Sequence, residues 1–234
     1  MDVVATVTAL AALLTALANS FVILEMRKQR TATTKPVLKL LSKYRKAIVK
    51  KESKTWEWEN KESSHFTKLS LMNFGTGPSI NLTAEWDISL DKLIDSLKYF
   101  DPYKQMTLRH ENGFIELDNS FHSVDNQRRL YIEAVPISKS QNGTSIKLPS
   151  YYISAFEKFI QLGILDRPKG KSETATPVEI PDFPEAYVTL NFEDINGEKL
   201  SQKFEVTLSF SSISPSDEGF EIDASFSVKE VSSV

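Results

Sequence analysis

The sequence has no cysteine, three histidines and eight glycines in 234 residues. The absence of cysteine excludes disulfides, thiolate metal sites and cysteine nucleophiles. A β domain of this size in an oxidising compartment often carries a disulfide, so the absence of cysteine also favours the reducing side of a membrane. None of His65, His110 and His122 is spaced from another like a pair of zinc ligands, and no HExxH motif is present.

Other catalytic and nucleotide-binding signatures are missing as well. The serines considered as nucleophiles, Ser64, Ser79 and Ser150, lack a GxSxG context. Residues 75–78, Gly-Thr-Gly-Pro, lack the GxxxxGK[ST] pattern and are not followed directly by a helix, so they indicate a turn rather than a phosphate loop. The sequence therefore predicts a protein that is not an enzyme and that has no metal or cofactor.

Charge is absent from residues 3–24, a run of 22 residues. As a helix this run is roughly 33 Å long, close to the thickness of a bilayer's hydrocarbon core. We predict a transmembrane helix at residues 3–25. Two alternatives are a signal peptide, since Ala16-Leu17-Ala18 resembles a cleavage site, and a buried helix of a soluble protein. The first lacks a basic leading segment, and the second fits poorly because the helix has no polar face.

Small residues recur at every fourth position of this run, at Thr8, Ala12, Ala16 and Ser20. Such rows let two transmembrane helices approach closely, so the protein could form a homo-oligomer through this helix. The run is so rich in alanine and threonine that the row is also expected by chance.

Basic residues cluster directly after the apolar run. Residues 26–54 hold 11 basic residues against one acid, whereas residues 55–234 hold 17 basic and 28 acidic residues. We interpret residues 26–35 as a basic juxtamembrane linker in which Arg27, Lys28, Arg30 and Lys35 face the membrane surface. Because lysine and arginine beside a span stay inside, we predict an external N-terminus and a cytoplasmic domain in the cell membrane. This division of charge points to a lipid bilayer rather than nucleic acid. The basic residues 26–54 either hold the domain at anionic lipid or only set the membrane topology.

Alternation of apolar and polar residues dominates residues 36–231, which predicts one mainly β domain. We expect an antiparallel β-sandwich with an immunoglobulin-like outline and two inserted short helices. The helices are predicted at residues 89–100 and from Pro149-Ser150 to about Gly163. The predicted strands are residues 37–41, 47–49, 55–58, two strands within 65–88, 114–117, 130–135, 187–192, 204–210 and 220–228.

The clearest hairpin joins residues 187–192 to residues 204–210. Between them lies Asn196-Gly197, the preferred pair of a type I′ turn. The second strand is a candidate exposed edge for a partner. Residues 167–184, with four prolines, predict a loop. Trp56 and Trp58 alternate as in a strand and face either the core, which we favour, or the membrane interface.

Three stretches carry a resemblance to a known group of proteins: Glu-Met-Arg-Lys-Gln-Arg at 25–30, Asn-Phe-Gly-Thr-Gly-Pro-Ser-Ile-Asn at 73–81 and Phe-Glu-Asp-Ile-Asn-Gly at 192–197. Together they resemble small bacterial membrane-anchored proteins of unknown function with a cytoplasmic β-sandwich. The resemblance covers most of the chain and implies no catalytic residue.

Two functions of different classes follow. The first is a membrane-tethered, non-catalytic interaction module, a scaffold or adaptor for another protein. The second is a surface-exposed ligand-binding domain on an exported membrane anchor. Membrane topology distinguishes them, and the basic residues after the apolar run favour the first.

Overall fold

The computed structural model describes residues 3–33, 35–50, 56–59, 67–100, 108–117, 120–137, 144–165 and 182–231. Over these described residues the protein is mainly β. The helices are α1 (Val3–Thr33), α2 (Leu90–Phe100), α3 (Asp125–Arg128) and α4 (Ser150–Ile160), the last continued by a π-helical turn (Gln161–Leu165). The strands are β1 (Leu38–Leu40), β2 (Lys43–Lys50), β3 (Trp56–Trp58), β4 (Lys68–Asn73), β5 (Ser79–Ile88), β6 (Leu108–Glu111), β7 (Phe114–Leu117), β8 (Ser120–Ser123), β9 (Arg129–Val135), β10 (Thr144–Lys147), β11 (Ala186–Glu193), β12 (Lys199–Pro215) and β13 (Gly219–Val231).

A curled, antiparallel seven-stranded sheet in the order β3-β2-β13-β12-β11-β5-β9 forms the main layer. Its strands alternate, so that one face is apolar: Val188 of β11 pairs with Phe204 of β12 and with Trp86 of β5, and all three are buried. The residues between them are polar and face outward, as in a sheet with one solvated face. This pattern is the alternation that the sequence predicts.

The buried face of the sheet is covered by the two longer helices of the domain and by a second sheet. Helix α4 buries nearly one whole side, including Tyr152 and Phe156, and α2 contributes Leu93 and Leu97. The three-stranded sheet β1-β4-β10 adds leucines to the same core, and β6-β7-β8 forms a third small sheet. Phe183 lies 5.2 Å, ring centre to ring centre, from each of three aromatic rings of α4, and these are Tyr152, Phe156 and Phe159.

Most predicted elements are confirmed, with different ends. Helix α2 begins after Ser89, whose hydroxyl accepts a hydrogen bond from the Lys92 amide at 3.4 Å, as a cap does. Helix α4 begins at Ser150 as expected, but Gly163 does not end it. A glycine stop needs a left-handed backbone, whereas Gly163 is buried within the π-helical turn and has no positive φ. Most of the predicted loop at residues 167–184 lies outside the described residues.

The hairpin of β11 and β12 is confirmed, but its turn is not type I′. That turn needs positive φ at both central residues, and only Gly197, at +79°, has it. The Gly197 amide donates to the Asp194 carbonyl, and the buried Asp194 carboxylate accepts bonds from the amides of Asn196 and Glu198 at 2.8 and 2.9 Å. Burial acts to raise the pKa of Asp194, but these bonds outweigh it and lower that pKa. The Asp194 cap therefore sets the turn.

Helix α1 precedes the β domain in the chain and ends two residues before Lys35. Across the part of the chain that the structure describes, no helix has the length and apolar character needed to cross a membrane.

Candidate interaction surface

The four basic residues predicted at the membrane surface occupy two places. Arg27 and Lys28 are exposed on the last third of α1, and Arg30 lies on the same helix with its side chain outside the described part. Lys35 lies beyond the helix, where its Nζ is 3.4 Å from Oε1 of Glu198 in the β11–β12 turn. The structure therefore places three of these residues on α1, whereas Lys35 contacts the β domain.

The apolar side chains of α1 that the structure describes are largely exposed. Phe21 is 71% exposed and Leu17 is 50% exposed. At about 100° per residue these side chains are spread over all sides of the helix, so no polar face separates them. The described exposed apolar residues of α1 are Leu13, Leu14, Leu17, Phe21, Val22, Ile23, Leu24 and Met26.

The prediction that residues 204–210 form an exposed sheet edge is wrong. These residues belong to β12, which is paired with β11 on one side and β13 on the other. The terminal strands of the seven-stranded sheet are β3 and β9. Strand order places a strand at an edge, and alternation within one strand carries no information about its neighbours.

Strand β9 is the longer terminal strand and pairs with β5 alone among the described strands. Its side chains are mostly exposed, with Tyr131 at 61%. Arg129 forms an ion pair with Glu85 of β5, and the Tyr131 hydroxyl donates to Oδ1 of Asn81 at 3.1 Å. Within the described structure, β9 therefore has one strand edge without a paired neighbour, and its side chains include an exposed aromatic ring and charged groups.

A shallow depression of about 410 Å³ lies on the outer face of the sheet, where β5, β11 and β12 run side by side. Asn81 adopts a left-handed backbone, with φ +51°, and its amide nitrogen donates to Oε2 of Glu193 at 3.0 Å. Asn81 thus connects the depression to Tyr131 of β9. The lining residues are Asn81, Thr83, Asn191, Phe192, Glu193, Lys199, Leu200 and Ser201. The sequence shows only the alternation of polar residues at these positions. It does not predict the depression, because that depends on which strands are neighbours in the sheet.

A buried polar cluster lies where α4 meets β2 and β3. The Trp58 indole donates to Oε1 of Glu157 at 2.7 Å, and the buried Arg45 guanidinium lies 4.9 Å from the centre of the Trp58 ring. Burial raises the pKa of Glu157 to about 7, although the Trp58 bond and the charges of Lys158 and Arg45 lower it in part. Arg45 also donates to the Thr67 hydroxyl at 3.1 Å. The cluster connects α4 to the first strands and holds a carboxyl that titrates near neutral pH.

The histidines do not form a shared site in the described structure. His110 is exposed on β6, whereas His122 is buried with Nδ1 3.1 Å from the Ser150 hydroxyl. His65 and Ser64 lie outside the described residues. Among the residues that are described, no group of three or more histidines and acids is arranged to hold a metal ion. The contact between His122 and Ser150 joins β8 to the first residue of α4 within the core.

Comparisons with protein families, with curated proteins and with solved structures give no match for this chain. The resemblance to membrane-anchored β-sandwich proteins stays a prediction.

Proposed function

We propose that the chain is a membrane-tethered, non-catalytic interaction module, a scaffold or adaptor that holds another protein near a membrane. The observation that carries the proposal is the exposure of apolar side chains on all sides of α1, whereas most apolar side chains of the β domain lie in its core. A helix that is apolar all round is stable only when something covers it, and lipid is the cover that needs no second protein.

One finding does not support the tether: no described helix meets the requirements of a membrane span. The proposal is supported by the uncharged run at residues 3–24 together with the exposed cations Arg27 and Lys28 that follow it. Cations on that side support a cytoplasmic β domain and an external N-terminus. The partner of α1 is therefore the lipid bilayer.

The protein partner is proposed to bind along β9. An extended segment can add to a free strand through backbone hydrogen bonds, while side-chain contacts select its sequence. Tyr131 supplies a large exposed ring, and the Arg129–Glu85 pair supplies polar contacts beside it. Strand β3 is a weaker candidate because it has only three residues.

The finer architecture is also a proposal. We propose that the seven-stranded sheet and β1-β4-β10 are the two layers of a β-sandwich with an immunoglobulin-like outline. This is supported by one shared core, in which Leu38 and Leu71 of the small sheet join Val188 and Phe204 of the large sheet.

Photo-crosslinking tests the interaction at β9. A benzoyl-phenylalanine at Tyr131 should give an adduct of one defined mass in intact cells. The control is Tyr44, which is 78% exposed but lies on β2, near the opposite end of the sheet, where it pairs with Ser225 of β13. An equal adduct at Tyr44, or none at Tyr131, would argue against β9 as the contact.

Topology is tested separately with a reporter that is active only in the cytoplasm. Fused after Val234, it should be active, and protease added to intact cells should leave the domain uncut. An inactive reporter together with rapid external cleavage would instead favour a surface-exposed ligand-binding domain.

A further inference from the structure

Three segments meet at the end of the β domain that follows α1: residues 35–37, the β4–β5 turn at 74–78 and the β11–β12 turn at 194–198. We call this region the base. The Phe74 amide donates to the Val37 carbonyl at 2.8 Å, and the Thr76 amide donates to the Lys35 carbonyl at 3.2 Å. The Lys35–Glu198 ion pair attaches the same segment to the β11–β12 turn. The first residues after α1 are therefore fastened to both turns.

The attachment is close at the backbone level. A Cβ added to Gly75 would lie 2.3 Å from the Lys35 carbonyl oxygen and 2.4 Å from the Val37 nitrogen, so only glycine fits. The buried Asn73 side chain accepts bonds from the amides of Val37 and Gly75 at 3.1 and 2.9 Å. The base is thus a fixed surface, and its orientation follows that of the domain.

Apolar side chains project from all three segments of the base. Val37 is 43% exposed, Phe74 is 55% exposed and Ile195, at the tip of its turn, is 50% exposed. The Lys39 ammonium lies 5.8 Å from the centre of the Phe74 ring. Exposed apolar tips beside lysines suit the headgroup layer of a bilayer, where apolar side chains insert and ammonium groups meet phosphates.

The length of chain between α1 and the base keeps this surface near any bilayer that α1 enters. The uncharged run ends at Leu24, and α1 continues for nine residues to Thr33. At about 1.5 Å per residue this extension is roughly 14 Å long. A tilt of α1 would place the base at the headgroups, and the short tether makes even weak insertion effective because it is intramolecular.

We propose that the base is a second membrane contact, in which Val37, Phe74 and Ile195 enter the interfacial layer of the bilayer. The proposal rests on the membrane tether proposed above. The contact fixes the β domain's orientation relative to the membrane. The far end of the hairpin formed by β12 and β13 is then directed away from the lipid. Strand β12 runs from Lys199 at the base to Pro215, roughly 50 Å at about 3.3 Å per residue.

The absence of cysteine allows a direct test with the full chain. Single cysteines carrying an environment-sensitive fluorophore report on three places: Thr76→Cys in the base, Leu17→Cys in α1, and Asp217→Cys in the exposed turn at the far end of β12. The labelled proteins are reconstituted into vesicles of phosphatidylcholine and phosphatidylglycerol that contain nitroxide-labelled lipid.

The expected result is quenching and a blue shift at Thr76 and at Leu17, with little of either at Asp217. Adding Phe74→Asp and Ile195→Asp should remove the quenching at Thr76 and leave that at Leu17 unchanged. Circular dichroism spectra and urea midpoints that match those of the parent would establish that the double variant is folded.

Three results would overturn the proposal, and they have different meanings. Quenching at Leu17 with none at Thr76 would mean that the tether holds and the base stays in water. Quenching at none of the three positions would remove the tether itself, and the contact with it. Quenching at Thr76 that survives both aspartates would exclude these side chains as its cause.

Discussion

The partly buried carboxyl of Glu157 predicts that the stability of the domain falls as pH rises through neutrality. Its pKa is raised from 4.5 to about 7 in the folded protein, first because it is buried. A carboxyl whose folded pKa is raised holds its proton longer when the chain is folded, so it stabilises the fold least at high pH. The loss begins above the unfolded value of 4.5 and is nearly complete once the pH passes about 7.

The size of the effect follows from the shift. A pKa that rises from 4.5 to about 7, at about 1.36 kcal/mol for each tenfold change in proton affinity, gives at most about 3 kcal/mol between pH 5 and pH 8. Glu157→Gln keeps an oxygen that can accept the bond from Trp58, but it cannot ionise. We therefore expect the variant to lose the pH dependence and to be more stable than the parent at pH 8.

Urea unfolding of the full chain in a non-ionic detergent tests this prediction. Tryptophan fluorescence reports the unfolding at several pH values between pH 5 and pH 8. The control is Glu133→Gln, which removes an exposed carboxyl on β9 and should keep the slope of the parent. The reasoning fails if the parent is equally stable at both pH values, or if Glu157→Gln retains the slope.

The remaining predictions concern stability and use the same unfolding measurement. Asn73→Ala should cost about 2–4 kcal/mol, because it removes a buried side chain that also donates to the Gly77 carbonyl at 2.8 Å, and a loss under 1 kcal/mol would contradict this. Gly75→Ala should lower the free energy of unfolding by about 1–3 kcal/mol, because the added Cβ would overlap the backbone. Gly197→Ala should lower it less, since the added Cβ meets nothing within 4 Å and only the φ of +79° is unfavourable. Phe183→Ala should cost about 3–5 kcal/mol because three rings pack on it, and an unchanged urea midpoint would refute that packing.

The elements with strict alternation could be predicted from the sequence. Strands β5, β11 and β13 alternate along their length, and α2 and α4 repeat apolar residues at helical spacing, so each was found within a few residues of its observed ends. Trp58 was correctly expected in the core, where it is 3% exposed.

Other features depend on partners that are distant in sequence. Strand β2 begins earlier than predicted because Arg45 occupies a core position, where Thr67 and the Trp58 ring accommodate its charge. Strand β12 extends through a serine-rich end because it pairs with β13 across a bulge between Phe210 and Ser212. The edge at β9 and the base likewise follow from strand order, which periodicity within one strand does not encode.

Membrane fractionation tests the central claim most directly. Membranes from cells that express the full chain are washed with alkaline carbonate, and a chain lacking residues 1–25 is compared with it. The account predicts that the full chain stays in the membrane pellet and that the shortened chain is soluble, with the urea-unfolding transition of a folded domain. A full chain washed free of the membrane, or a shortened chain that remains in the pellet, would contradict tethering through α1.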